Sequence, residues 1–123
     1  MILTDTSVWV SHFDRSDATL ETLLEEELVL AHPLVTGELA MGSMRERTDV
    51  LLSLRELEQA VTAEHDEVMW FVTQHSLYGL GLSFVDAHLL VSAMLTPGAL
   101  LWTRDKLLLQ IAQRLGLAAD HLG

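Results

Sequence analysis

Four acids stand out in this sequence for where they fall: Asp5, Glu38, Asp86 and Asp105. Asp5 follows the apolar run 1–4, and Asp105 comes shortly after the apolar run 99–102, so each sits at the carboxyl end of an expected strand and just before an expected helix. In open parallel sheets, that edge is where ligands bind. Asp86 is the third residue after Ser83, a spacing that lets its carboxylate reach back to the Ser83 backbone N–H. Glu38 lies among Leu34, Val35, Leu39 and Met41, with no basic residue one helical turn away, so an acid on that face needs some other partner.

Taken singly, each acid has a structural explanation. Asp is a common helix cap and turn former, and capping is the better reading of Asp86 on its own. Taken together they say more, because several carboxylates at one sheet edge raise one another's pKa by repulsion unless a cation compensates. All-oxygen ligation suits Mg²⁺ or Mn²⁺. One or two such ions can activate water, stabilise the charge on a phosphodiester oxygen and assist the leaving oxygen.

The elements that must position these acids can be read from periodicity. Residues 1–4 read as a strand and 7–13 as a helix; Asp17 can cap a second helix in which Leu20, Leu23, Leu24 and Leu28 recur at helical spacing. Residues 28–31 read as a second buried strand. Pro33 suits the first turn of a third helix running to Met41, with Gly42 as its stop. Leu51, Leu52, Leu54 and Leu57 mark a fourth helix, 60–62 a short strand and 67–77 a fifth helix. Residues 87–95 are apolar nearly all round, which predicts a central helix; 99–102 is a strand and 106–115 a final amphipathic helix. Strands alternating with helices predict an α/β fold with a mainly parallel sheet.

Composition agrees with one compact unit. The chain has 123 residues, half of them hydrophobic, enough for one core and too few for two. A single domain over 1–123 is expected. There is no cysteine, which excludes disulfides and thiolate metal sites. The first residues carry Asp5 where an apolar signal segment would run, so no secretory signal is expected and the chain reads as cytoplasmic. The apolar stretch 77–102 is interrupted by Gly79, Gly81, Asp86, His88, Pro97 and Gly98, which favours a buried helix and strand over a membrane span.

The acids also sit in motifs that resemble those of the VapC-type PIN domains, and the resemblance spans almost the whole chain. A D-T-[SN] signature after the first strand is matched by Asp5-Thr6-Ser7, E-L-x-x-G by Glu38-Leu39-Ala40-Met41-Gly42, a helix opening with Asp by Gly81-Leu82-Ser83-Phe84-Val85-Asp86-Ala87, and T-x-D by Thr103-Arg104-Asp105. The order and spacing of the motifs make the match specific. It implies a three-layer α/β/α fold with a short, mainly parallel central sheet. It also implies a Mg²⁺- or Mn²⁺-dependent endoribonuclease, the toxin of a type II toxin–antitoxin pair. Asp5, Glu38, Asp86 and Asp105 would be its metal-binding and catalytic acids, and Ser7 and Thr103 the polar residues supporting them. The partners implied are an RNA substrate, a VapB-like antitoxin and a second copy of the chain, with no membrane. The amphipathic helix around Leu20, Leu23 and Leu24 is the expected docking surface for the antitoxin.

Other readings weigh less. The six histidines, His12, His32, His65, His75, His88 and His121, show no zinc-like spacing and read as surface or satisfied core residues. Trp9, Trp70 and Trp102 sit in apolar periodic segments, which predicts packing rather than base stacking. A haloacid-dehalogenase-like phosphatase needs a second Asp where this chain has Ser7, and a receiver domain needs an acidic pair after its first strand. The principal alternative is a PIN-like module that binds protein or RNA without cutting it. The net charge of −11 runs against a generic nucleic-acid binder, although Arg45, Arg47, Arg104 and Lys106 flank the proposed site.

Overall fold

The computed structural model describes residues 1–122. Its strands are β1 (Ile2–Thr4), β2 (Val29–Ala31), β3 (Glu58–Gln59) and β4 (Leu100–Trp102). Its α-helices are α1 (Thr6–Asp14), α2 (Ala18–Glu25), α3 (Pro33–Met41), α4 (Arg47–Glu56), α5 (His65–Gln74), α6 (Phe84–Leu95) and α7 (Lys106–Arg114). Among the described residues the strands form one parallel sheet in the order β3-β2-β1-β4. With helices on both faces, this is the three-layer α/β/α arrangement that the sequence implied. The short strands read as unbroken apolar runs because both faces are covered: Ile2, Leu3, Val29, Leu30, Ala31, Leu101 and Trp102 are all buried.

The strand order fixes where a site can form. From β1 the chain steps outward through β2 to β3, then returns across the sheet to place β4 on the other side of β1. The reversal therefore lies between β1 and β4, where Thr4 stands opposite Trp102. Asp5 and Thr103 are the first residues past those two strand ends, the place where open parallel sheets bind ligands.

Both sheet edges are short of free ladder. β3 offers two exposed residues, and Ala60 extends it by donating its N–H to the Ala31 carbonyl at 2.8 Å. On the outer side of β4, Leu101 donates to the Leu117 carbonyl at 2.7 Å and accepts from the Ala119 N–H at 2.8 Å.

Several expectations are corrected. The third strand lies at Glu58–Gln59 rather than 60–62, because an exposed edge strand pairs through its backbone and needs no apolar side chains to hold it. The fifth helix starts at His65, where Glu67 reaches back to the Glu64 N–H at 2.8 Å, and ends at Gln74, before Ser76 turns into positive φ. Gly42 does end α3, in an extended conformation rather than a left-handed one. Asp17 caps α2 as expected, accepting from the Leu20 N–H at 2.9 Å, but Leu20 is fully buried and Leu23 and Leu24 pack against the core. Leu23 and Leu24 remain partly exposed, with Leu24 lining two surface concavities, so this face is shared between the core and the surface. Trp9 and Trp102 are buried as predicted, whereas Trp70 is 62% exposed.

The most buried titratable side chain is His32, which joins β2 to α3 and is 1% exposed. Its Nδ1 accepts from the Leu34 N–H at 3.0 Å and its Nε2 lies 2.9 Å from Ser92 Oγ on α6. Since Nδ1 accepts, the single ring hydrogen of the neutral form is on Nε2 and points at Ser92. A second proton would have to enter at Nδ1 and break the helix cap. Burial, helped by the nearby His88, pushes the His32 pKa from 6.5 down to about 4.

This shift sets a pH window. Between about 6.5 and about 4 the unfolded chain takes up a proton that the folded chain refuses, so the stability held by neutral His32 is whole above the upper value and is lost as pH falls to the lower. The loss amounts to about 3 kcal/mol at 1.4 kcal/mol per pKa unit. Urea unfolding of wild type and His32→Asn between these pH values is expected to give a steeper fall for wild type. Parallel curves would refute the assignment.

Candidate active site

The centre of the site is Asp5, 6% exposed at the end of β1. A buried carboxylate must be satisfied, and here three donors converge on Oδ2: Ser7 Oγ at 2.7 Å, Thr103 Oγ1 at 2.7 Å and the Ser7 N–H at 3.4 Å. A hydroxyl has one hydrogen to give. Ser7 and Thr103 both spend theirs on Asp5, so their own oxygens are left to accept, and Ser7 takes the Arg104 N–H at 3.0 Å while Thr103 takes the Asp105 N–H at 3.1 Å. The two residues expected to support the acids thus link β1 to the loop after β4.

Asp105 is the N-cap of α7, its Oδ1 accepting from the Leu108 N–H at 2.8 Å. Asp86 is the third residue of α6 and completes the capping box read from the sequence, with Oδ2 accepting from the Ser83 N–H at 3.2 Å and Ser83 Oγ accepting from the Asp86 N–H at 3.0 Å. Capping and proximity to the other acids hold at once. Partial burial raises the Asp86 pKa first of all, the Ser83 N–H pulls it back, and the negative charges of Asp5 and then Asp105 push it up again. The pattern is one of crowded carboxylates, partly relieved by the positive ends of the helices that begin there.

Glu38 is placed differently from the expectation of an apolar face. It is exposed, and its Oε1 accepts from Thr6 Oγ1 at 2.6 Å. Sequence reasoning missed Thr6 as the partner, although it stands inside the Asp5-Thr6-Ser7 motif. This bond brings α3 to the start of α1. Across all four acids, the hydrogen bonds above occupy one oxygen each: Oδ2 of Asp5 and Asp86, Oδ1 of Asp105 and Oε1 of Glu38. As the side chains stand, no three His, Asp or Glu groups among the described residues are close enough together to grip a metal ion.

Two of the flanking cations are already engaged. The Arg104 guanidinium donates to Ser11 Oγ and to Asp17, and it lies 5.8 Å from the Trp102 ring centroid. With the Leu20 N–H contributing most and Arg104 less, the Asp17 pKa is held below its ordinary value. Arg47 donates from Nε and Nη2 to the Ala40 carbonyl at 3.2 and 3.1 Å. His88, close after Asp86, has its pKa lowered by burial and by His65.

Thr103→Val keeps the shape of a buried residue but removes one of the two hydroxyl donors to Asp5 and the acceptor of the Asp105 N–H. Chemical denaturation is expected to show a loss of about 2 kcal/mol, the usual cost of stranding a buried charged partner. A variant as stable as wild type would show that Asp5 does not depend on this bond.

Comparison with known proteins gives the arrangement a family. A family model for the PIN domain matches residues 2–113. Ribonuclease VapC32 of Mycobacterium tuberculosis, in strain CDC 1551 / Oshkosh and in strain H37Rv, is 48% identical over 118 residues, covering 96% of this chain and 95% of the relative. With the strand-end acids, the parallel sheet and this extended likeness in agreement, the chain belongs to the PIN-domain family and is closely related to the VapC ribonucleases of toxin–antitoxin pairs.

Proposed function

We propose that this chain is a single-domain, divalent-metal-dependent endoribonuclease, the toxin of a type II toxin–antitoxin pair, with Asp5, Glu38, Asp86 and Asp105 as its acids. The observation that carries the reading is the division of labour within each carboxylate. One oxygen is engaged in a hydrogen bond that fixes the side chain, and the other is left for a ligand. The mutual repulsion registered at Asp86 is what a cation would relieve. The donor chemistry fits Mg²⁺ or Mn²⁺, with side-chain closure needed to bring the acids to coordination distance.

When bound, a divalent ion supplies Lewis acidity toward a phosphodiester and lowers the pKa of an attacking water. The protein's part is positioning. Ser7 and Thr103 hold the Asp5 carboxylate in place through their hydroxyls, Thr6 aims Glu38 toward the same end of the sheet, and Ser83 fixes Asp86 at the start of α6. The name of the M. tuberculosis relatives supports RNA as the substrate. The same kinship supports a VapB-like antitoxin and a second copy of the chain as partners. No helix among the described residues is long and apolar enough to cross a membrane.

Asp86→Asn tests the reading, because Asn can still accept from Ser83 but carries no charge. The raised pKa means that ionised Asp86 costs folding stability as pH rises through the carboxylate range, so the metal-free variant is expected to melt at or above the wild-type temperature. Mg²⁺ should raise the melting temperature of wild type more than that of the variant. RNA cleavage should vanish in the variant and, for wild type, in EDTA. A variant that melts lower, gains equally from Mg²⁺ and still cleaves would make Asp86 a cap only.

A further inference from the structure

A cavity of about 650 Å³ opens between α3 and α4, lined among others by Thr36, Arg47, Thr48, Leu51, Leu52 and Arg55. No Asp or Glu lines it. Four further concavities on the surface carry two or three acids each, among them Glu27, Glu56 and Glu58 in one and Glu38 and Glu46 in another. In a chain of net charge −11, an acid-free hollow with two arginines is the exception that matters for an anionic ligand.

Resting on the ribonuclease reading above, we infer that this cavity is a binding subsite for the single-stranded RNA substrate, with the arginines on its phosphates and Leu51 and Leu52 against a base. Arg47 and Arg55 are eight residues apart in α4, about 12 Å along the axis, and both fall on the face that carries Leu51. At that separation the two guanidiniums address different phosphates. Arg47 is held by its bonds to the Ala40 carbonyl, so a cation is fixed at the rim before a ligand arrives. Thr36 and Thr48 add hydroxyls to the lining. The floor includes Gly37, where an added Cβ would meet nothing within 4 Å, and Gly37 is the neighbour of Glu38. A strand lying in the cavity therefore leaves it beside the acids.

Two variants separate charge from space. Arg55→Gln removes a phosphate contact, and Gly37→Leu fills the hollow in a helical position that tolerates a side chain. Arg114→Gln, on α7 with its guanidinium on the His75 carbonyl, matches the first in charge and serves as the control. The readout is fluorescence anisotropy of a short labelled single-stranded RNA of mixed sequence with Mg²⁺ present, in an Asp5→Asn background that holds without cutting, together with KM and kcat for cleavage in the otherwise native chain. Arg55→Gln is expected to raise Kd and KM several-fold and to flatten the salt dependence of log Kd by about 0.7, the single-strand value for one phosphate. Gly37→Leu is expected to raise Kd and KM about tenfold, and Arg114→Gln to leave both unchanged. If wild type cleaves RNA while Arg55→Gln and Gly37→Leu bind and cut it as wild type does, the subsite is refuted and the ribonuclease reading stands. The same holds if they alter only self-association or capture of a protein partner. If wild type neither binds nor cuts RNA, both fall together.

Discussion

A carboxylate taken out of water at the end of a strand must find its hydrogen bonds within the protein, and Asp5 finds them on two different parts of the chain. Ser7 comes from the start of α1, and Thr103 from the segment that follows β4, nearly a hundred residues later. Satisfying one oxygen thus locks the two strands between which the sheet order reverses, and the same hydroxyls orient the backbone of Arg104 and Asp105. The junction of β1 with β4, the start of α1 and the start of α7 are tied together by a single buried carboxyl group.

Placing acids at helix starts resolves what otherwise looks like a choice between structure and chemistry. Asp5 and Asp105 are N-caps, Asp86 closes a capping box, and each meets these demands with one oxygen. The helix ends lower the cost of gathering negative charge, while the Asp86 pKa is still raised, by partial burial first and then by the charges of Asp5 and Asp105. Glu38 has no such support from its own helix and depends on Thr6, which makes it the member most easily moved.

What could be read from the sequence was what lies close along the chain. Asp5 before Ser7, Ser83 before Asp86 and Thr103 before Asp105 are local patterns with local geometry, and the apolar runs around them located three of the strands. The bond between Thr6 and Glu38 spans thirty-two residues and leaves no periodic trace. β3 was misplaced because Glu58 and Gln59 carry no apolar signal; their order comes from the backbone of Leu30 and Ala31. Leu20, Leu23 and Leu24 mark a different limit: periodicity finds an apolar face but does not say how much of it the core covers, and here Leu20 is buried while Leu23 and Leu24 are only partly so.

The two margins of the sheet carry a consequence for how this chain can associate. On one side the ladder stops after Glu58 and Gln59, and on the other the donors and acceptors of Leu101 are already taken by Leu117 and Ala119. Neither margin presents the run of open amides that templates strand addition. Crowded copies of such a chain have no open ladder through which to add strand to strand. Association is left to side chains on helices, where complementarity of shape and charge, rather than a generic ladder, decides what binds.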